Sequence, residues 1–212
     1  LGLTEPSGGS VRVAGHDPAR EPLAVKRMVG YLPESVGFYG DLTGRENLLY
    51  TASLNNIPRT RSENLVRETM ALVELGGAVD QPVSQYSRGM RQRLGLADVL
   101  IKEPKLVILD DPTLGLDPAG IEWLLGLIAE MSRERKITIF LSSHQLHEVQ
   151  RICHRVGIMS HGKLVLEGPV GDLMSQRDGD GFRIELEVRG AKSALIKALE
   201  GLPSVTEVKR IG

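Results

Sequence analysis

The chain is short of several things, and each shortage removes a class of function. It has one cysteine, Cys153, among 212 residues. No internal disulfide can therefore form, and a reducing compartment is implied. Cys153 itself reads as a small buried hydrophobe on a helix. Only 4% of residues are aromatic, which leaves few platforms for stacking bases. Neither sign of charge dominates, since the formal net charge is −1, so no strong field draws nucleic acid or an anionic membrane. No apolar run approaches the ~18–20 residues of a membrane-spanning helix, and no signal peptide is visible. A cytoplasmic polypeptide is expected, with no nucleic-acid partner.

What is present supports one globular domain with a real core: 41% of residues are hydrophobic and 25% charged. Residues 9–17 alternate like a short edge strand. A helical stretch around Pro22–Lys26 leads into a strand at Met28–Leu32, broken by Pro33-Glu34. From Thr43 to about Leu100 the periodicity is helical, with turns near Ile57-Pro58 and over Gly76–Ser84. Thr43 and Glu46 have the spacing of a capping box. The sheet resumes at Leu106–Leu109, followed by a helix over Pro118–Arg135, a strand at Ile137–Leu141 and a helix over Gln145–Cys153. Residues 155–167 read as two strands joined by a turn at His161-Gly162. The order is α/β with a helical block inserted at about 41–98. Residues 175–181 are polar and Gly-rich and read as a linker, and 182–212 read as a partial β-α-β extension. The chain opens on Leu1, and Leu1-Gly2-Leu3 reads as the tail of a helix, so both ends read as cut.

The densest signal is LVILDDPTLGLDP at 106–118. Four apolar residues without alternation suit a strand buried on both faces of a parallel sheet. The strand ends in Asp110 and Asp111, and Pro112 stops it. Carboxylates at the carboxyl end of such a strand lie where open α/β sheets bind ligands. One there can hold Mg²⁺ against a nucleotide phosphate, although two solvated acids in a turn would look the same. Upstream, Ser87 is a good helix cap and Gly89 lets backbone amides approach a phosphate; an ordinary capped helix shares those features. Downstream, Ile137–Leu141 ends in Ser142-Ser143-His144, and a histidine beside a carboxylate pair can touch a phosphate and help place water. Glu34 adds a third carboxylate at a strand end. His144, His147 and His154 lack the further ligands that zinc requires. Arg88, Arg91 and Arg93 make a basic cluster suited to phosphate or to solvent.

In this order and spacing, these pieces resemble the nucleotide-binding domain of ABC transporters over nearly all of residues 1–170. The resemblance implies a P-loop NTPase-like parallel sheet core with an antiparallel β edge and an inserted α-helical subdomain. It implies ATP and Mg²⁺ as cofactors, with Asp110 and Glu34 on the metal side and Asp111 in the place of the family's catalytic Glu. His144 matches the switch histidine. Ser87, Gly89, Asp117 and Glu34 fall at nucleotide-contacting positions, and Ser87-Arg88-Gly89-Met90 at the signature loop, with Arg88 and Met90 replacing Gly and Gln. The family mechanism implies two such domains packed head to tail as a homodimer or paired ABC domains, closed by ATP and reopened by hydrolysis. A transmembrane permease subunit would dock on the Glu34–Leu42 region, which includes Phe38 and Tyr39, and on the helical block. The protein would then lie peripherally at the inner face of the cell membrane. The substitutions in the signature loop and the C-terminal extension resemble bacterial two-component exporters of the ABC-2 or drug-exporter type.

Two departures stand out. No GxxxxGK[ST] occurs, so these residues contain no phosphate-cradling loop. In the family that loop precedes the segment matched by Gly9–Val13, and would here precede Leu1. The 212 residues alone are expected to show no micromolar ATP affinity, and calorimetry checks this. The second departure is Asp111, shorter than Glu, which implies slow hydrolysis. Two other readings share the pattern: a non-hydrolysing regulatory or scaffold module, and a soluble ABC protein acting on ribosomes or DNA. Charge neutrality and the absence of long coiled coil count against the last.

Overall fold

A computed structural model describes Gly2 and residues 4–175 of the chain. The expected helix tail at Leu1–Leu3, the extension at 182–212 and all but the first residue of the linker lie outside the described residues. Two compact units separate between Val156 and Gly157.

The first unit is built on three parallel strands in the order β1 (Val29–Leu32), β2 (Leu106–Asp110) and β3 (Thr138–Ser142). Leu32 pairs with Leu109 and Asp110 with Ser142, so the three carboxyl ends are level. Helix α1 (Pro22–Met28) leads into β1. Between β1 and β2 comes the helical block: α2 (Gly44–Leu54), α3 (Arg59–Leu72), two short 3₁₀ turns at Gly76–Ala78 and Val83–Gln85, and α4 (Arg88–Leu100). Helix α5 (Pro118–Arg133) carries the chain from β2 to β3, and α6 (Leu146–Ile152) follows.

Helix starts follow local chemistry. The capping box forms at α2: the Thr43 hydroxyl accepts from the Glu46 amide at 3.1 Å, and Glu46 Oε2 accepts from the Thr43 amide at 2.8 Å. Ser87 caps α4 through Met90 N–H at 3.2 Å, and Asp117 caps α5 through Gly120 N–H at 3.1 Å. Each cap satisfies a donor that the helix leaves open, worth ~1 kcal/mol.

One core joins the helical block to the sheet through α4. Leu94, Leu96, Ala97 and Ile101 at α4 are fully buried with Leu48 of α2, Val66 of α3, Val107 and Leu109 of β2 and Leu124 of α5. The approach is close because glycine allows it. A Cβ on Gly30 would stand 2.4 Å from Val99 Cγ1, and one on Gly95 2.6 Å from Leu32 Cδ1.

Two expectations are corrected. Strand β2 is fully buried on one face only: Val107 and Leu109 are enclosed, whereas Leu106 and Ile108 are half-buried. The face carrying Tyr31, Ile108 and Phe140 is left open by the described residues, and Phe140 is 64% exposed. Apolar composition does not say which faces a neighbouring element covers. The second correction concerns residues 9–17, which form no strand; Val13 and His16 make one isolated bridge across a tight turn. Their alternation is real, but a strand needs a partner edge, and none of the described residues provides one.

In the second unit, the described residues form β4, which begins at Arg155 and runs to Ser160, β5 (Lys163–Pro169) and the short α7 (Val170–Ser175). The turn between the strands sits at His161 and Gly162, with φ of 48° and 75°. Two consecutive left-handed residues suit a tight hairpin whose twist matches its strands. Among the described residues, no helix is long and apolar enough to cross a membrane.

Candidate functional site

The level carboxyl ends of β1, β2 and β3 bring the acidic pair and the histidine together. Asp110 is the last residue of β2 and is held at both oxygens. The Ser142 hydroxyl donates to Oδ1 at 2.6 Å, and the Tyr31 hydroxyl to Oδ2 at 3.3 Å. Desolvation, and then the Asp110 charge, push the Tyr31 hydroxyl pKa above its ordinary value, so it stays a donor. Asp111 has left the strand. Its φ is 41°, in the left-handed region that Asp tolerates better than most residues. Its amide donates to the Ser142 carbonyl at 3.1 Å. Its Oδ1 receives the His144 amide at 3.3 Å and lies 2.9 Å from His144 Nδ1.

With the proton on Nδ1, the ring donates to Asp111 and keeps Nε2 as an acceptor, the arrangement by which a carboxylate sets a histidine's tautomer. The His144 side chain is 63% exposed and that of Asp111 31% exposed, so the pair is open to a ligand. Glu34 lies two residues beyond β1 at the same edge, exposed. The sequence placed Asp110, Asp111, His144 and Glu34 at strand ends; the structure brings the first three into one hydrogen-bonded group through Ser142. Tyr31 and Ser142 were not expected to hold Asp110. The available signal was their position at the ends of neighbouring strands, but register decides the contact and composition does not reveal register.

The metal implied for this edge can be tested against its donors. Among the described residues, no group of three or more His, Cys, Asp and Glu could hold a metal ion by itself. Mg²⁺ does not need such a cage, because it keeps several waters and takes one or two carboxylates plus substrate phosphates. Hard oxygen donors at Asp110 and Glu34 fit that chemistry.

Ser87, Gly89 and Asp117 form a second group at the starts of α4 and α5. Gly89, Asp117, Gly120, Leu116 and Trp123 line a cavity of about 160 Å³. The Asp117 carboxylate is engaged as a helix cap, and Ser87 likewise. The basic cluster donates to nearby carbonyls. Arg88 donates to the Leu114 carbonyl at 3.1 Å, Arg91 to Ser84 at 3.4 Å and Arg93 to Val73 at 3.2 Å, while Arg93 also lies over the Trp123 ring at 3.8 Å. Each arginine thus has a partner in its own fold, while Arg88 and Arg91 remain exposed, in keeping with a solvated face. In the Glu34–Leu42 region, Val36 and Phe38 pack against the core. Tyr39 remains 56% exposed and stacks edge-on against Tyr50 of α2 at 5.4 Å. The apolar surface there is thus shared between loop and helix. Cys153 caps the end of α6, and burial pushes its thiol pKa up.

A parallel sheet whose carboxyl edge gathers two aspartates and a histidine, beside an inserted helical block, has the P-loop NTPase-like α/β fold. The chain belongs to the ABC transporter family, whose profile matches residues 1–114, more than half of its length. It is 40% identical over 173 residues to the bacitracin transport ATP-binding protein BcrA of Bacillus licheniformis, covering 82% of this chain and 56% of that protein. It is 28% identical over 207 residues to the linearmycin resistance ATP-binding protein LnrL of Bacillus subtilis, covering 98% and 66%. A solved ATP-binding subunit of an ABC transporter superposes with a TM-score of 0.73 at 28% identity, covering 93% of this chain and 78% of that one. The chain thus spans 56% and 66% of these two curated relatives.

Proposed function

We propose that this chain belongs to the ATP-hydrolysing subunit of a membrane exporter and carries the acidic half of its site. The observation that carries the reading is the Asp111–His144 pair, 2.9 Å apart and open to ligand, beside the doubly held Asp110. Bound ATP would supply the phosphoanhydride, and Mg²⁺, which Asp110 and Glu34 would hold, would neutralise part of its charge. Asp111 offers Oδ2 to a proton of the attacking water while Oδ1 keeps His144 in place, and Nε2 of His144, an acceptor in this tautomer, accepts from that water and helps place it. The start of α4, with Ser87 and Gly89, serves the nucleotide of a second copy, and Asp117 lies at the same contact. ATP binding that favours the closed pair over the open one drives the cycle.

The partner is a transmembrane permease that docks on Tyr39, Tyr50 and the helical block, which holds the protein at the inner face of the membrane. Relatives named for bacitracin transport and linearmycin resistance support export of an antibiotic-type cargo.

The length of the acid provides the test. Asp is about one bond shorter than Glu, and a misplacement of about 1 Å can cost ~10²-fold in rate. In the whole protein, Asp111→Glu is expected to raise turnover several-fold, read by phosphate release from Mg-ATP. Unchanged turnover means that the reach of Asp111 does not limit the rate. A variant and a wild type both without turnover favour a regulatory module.

A further inference from the structure

Glu148 is a buried acid that the chemistry above does not use. It lies on α6, one helical turn beyond His144, and is 1% exposed. Its Oε2 accepts from the Thr113 hydroxyl at 2.8 Å, and Thr113 is itself 3% exposed. Its Oε1 is buried with no hydrogen-bond partner among the described residues. A buried carboxyl group satisfied by one hydroxyl lowers stability relative to an apolar residue of the same size. An unsatisfied group of this kind calls for an explanation other than packing.

The explanation lies in what the contact spans. Thr113 is two residues beyond Asp111, and Glu148 four beyond His144. The segments 111–113 and 144–148 are therefore cross-linked twice, by Asp111–His144 at an exposed pair and by Thr113–Glu148 at a buried one. From the other side, Gln92 Nε2 of α4 donates to the Pro112 carbonyl at 3.0 Å. Asp111, in its left-handed conformation, is the residue these contacts enclose, and such a conformation persists when the surroundings over-determine it. The exposed pair alone would leave His144 free to swing with α6.

We propose that Glu148, acting through Thr113, is a positioning residue that fixes His144 against Asp111. This rests on the reading of Asp111 and His144 as the hydrolytic pair. The dry contact sets the distance, and the wet pair uses it.

The experiment measures kcat and KM for ATP in the whole protein, with urea midpoints alongside. Thr113→Val, which keeps the shape and removes the donor, is expected to lower kcat about tenfold with KM within about twofold, and Thr113→Ser to restore it. Adding Thr113→Val to His144→Ala is expected to cost nothing further, because both act through one ring. Wild-type kcat in Thr113→Val, or losses that multiply in the double variant, overturn the proposal. If Thr113→Val does not fold, Glu148→Gln and Glu148→Met answer instead: Gln keeps an acceptor for the Thr113 hydroxyl and is expected to hold most of kcat, whereas Met loses about tenfold. Equal kcat in those two also overturns it. Wild-type turnover in His144→Ala and Asp111→Asn would bring down the underlying reading of the site as well. Impaired turnover in those with normal turnover in Thr113→Val defeats the positioning role alone.

Discussion

Asp111→Asn is expected to lower ATP turnover of the whole protein by about 10³-fold while leaving its urea midpoint unchanged. The two halves of that statement have separate grounds. Asp111 sits at φ 41°, and Asn is as tolerant of the left-handed region as Asp, so the backbone gains no strain. The amide oxygen of Asn can still accept from the His144 ring and amide, which the carboxylate now does at 2.9 and 3.3 Å. What the variant lacks is a group able to take a proton, and a general base commonly contributes about 10²–10⁴-fold. Phosphate release under saturating Mg-ATP is the readout. Turnover within a factor of about two of wild type would remove Asp111 from the chemistry.

The second large effect is on stability. Leu109→Ala is expected to lower the free energy of unfolding by about 3 kcal/mol, within the range found for buried Leu truncations. Leu109 is fully buried in the middle strand, paired in register with Leu32 and Leu141, and its face carries the core shared by α4 and α5. Leu106, three residues earlier on the open face, is half-buried. Leu106→Ala is therefore expected to cost less than half as much. Urea denaturation of the pair reads both values. Equal losses would show that a further element covers the second face and would restore the two-face burial that the apolar run implied.

Local chemistry made much of the fold legible. The Thr43–Glu46 box, the Ser87 cap and the stop at Pro112 each use residues within four positions of one another, so spacing alone identifies them. The helical block and the three parallel strands followed from periodicity and apolar runs. Contacts set by register or by tertiary covering were not legible. Asp110 meets Ser142 because β2 and β3 align end to end, and Tyr31 reaches it from β1. Glu148 reads in sequence as one more charged residue on an amphipathic helix, yet it is 1% exposed. Residues 9–17 alternate like a strand but lack an edge to pair with among the described residues. The basic cluster at Arg88, Arg91 and Arg93 was legible, but the carbonyl that each one meets in its own fold was not.

The proposed function places metal binding and ATP hydrolysis at the carboxyl edge of this sheet. Its most direct test is phosphate release from Mg-ATP by the whole protein carrying Asp110→Asn. The amide side chain would still accept from the Ser142 hydroxyl, with the Tyr31 hydroxyl turned to accept from Nδ2, but would lose the negative charge that a hard cation requires. Turnover is expected to fall at least about 10²-fold with ATP still bound, as for loss of a group that stabilises developing charge. Release at the wild-type rate would remove Asp110 and its metal from the reaction.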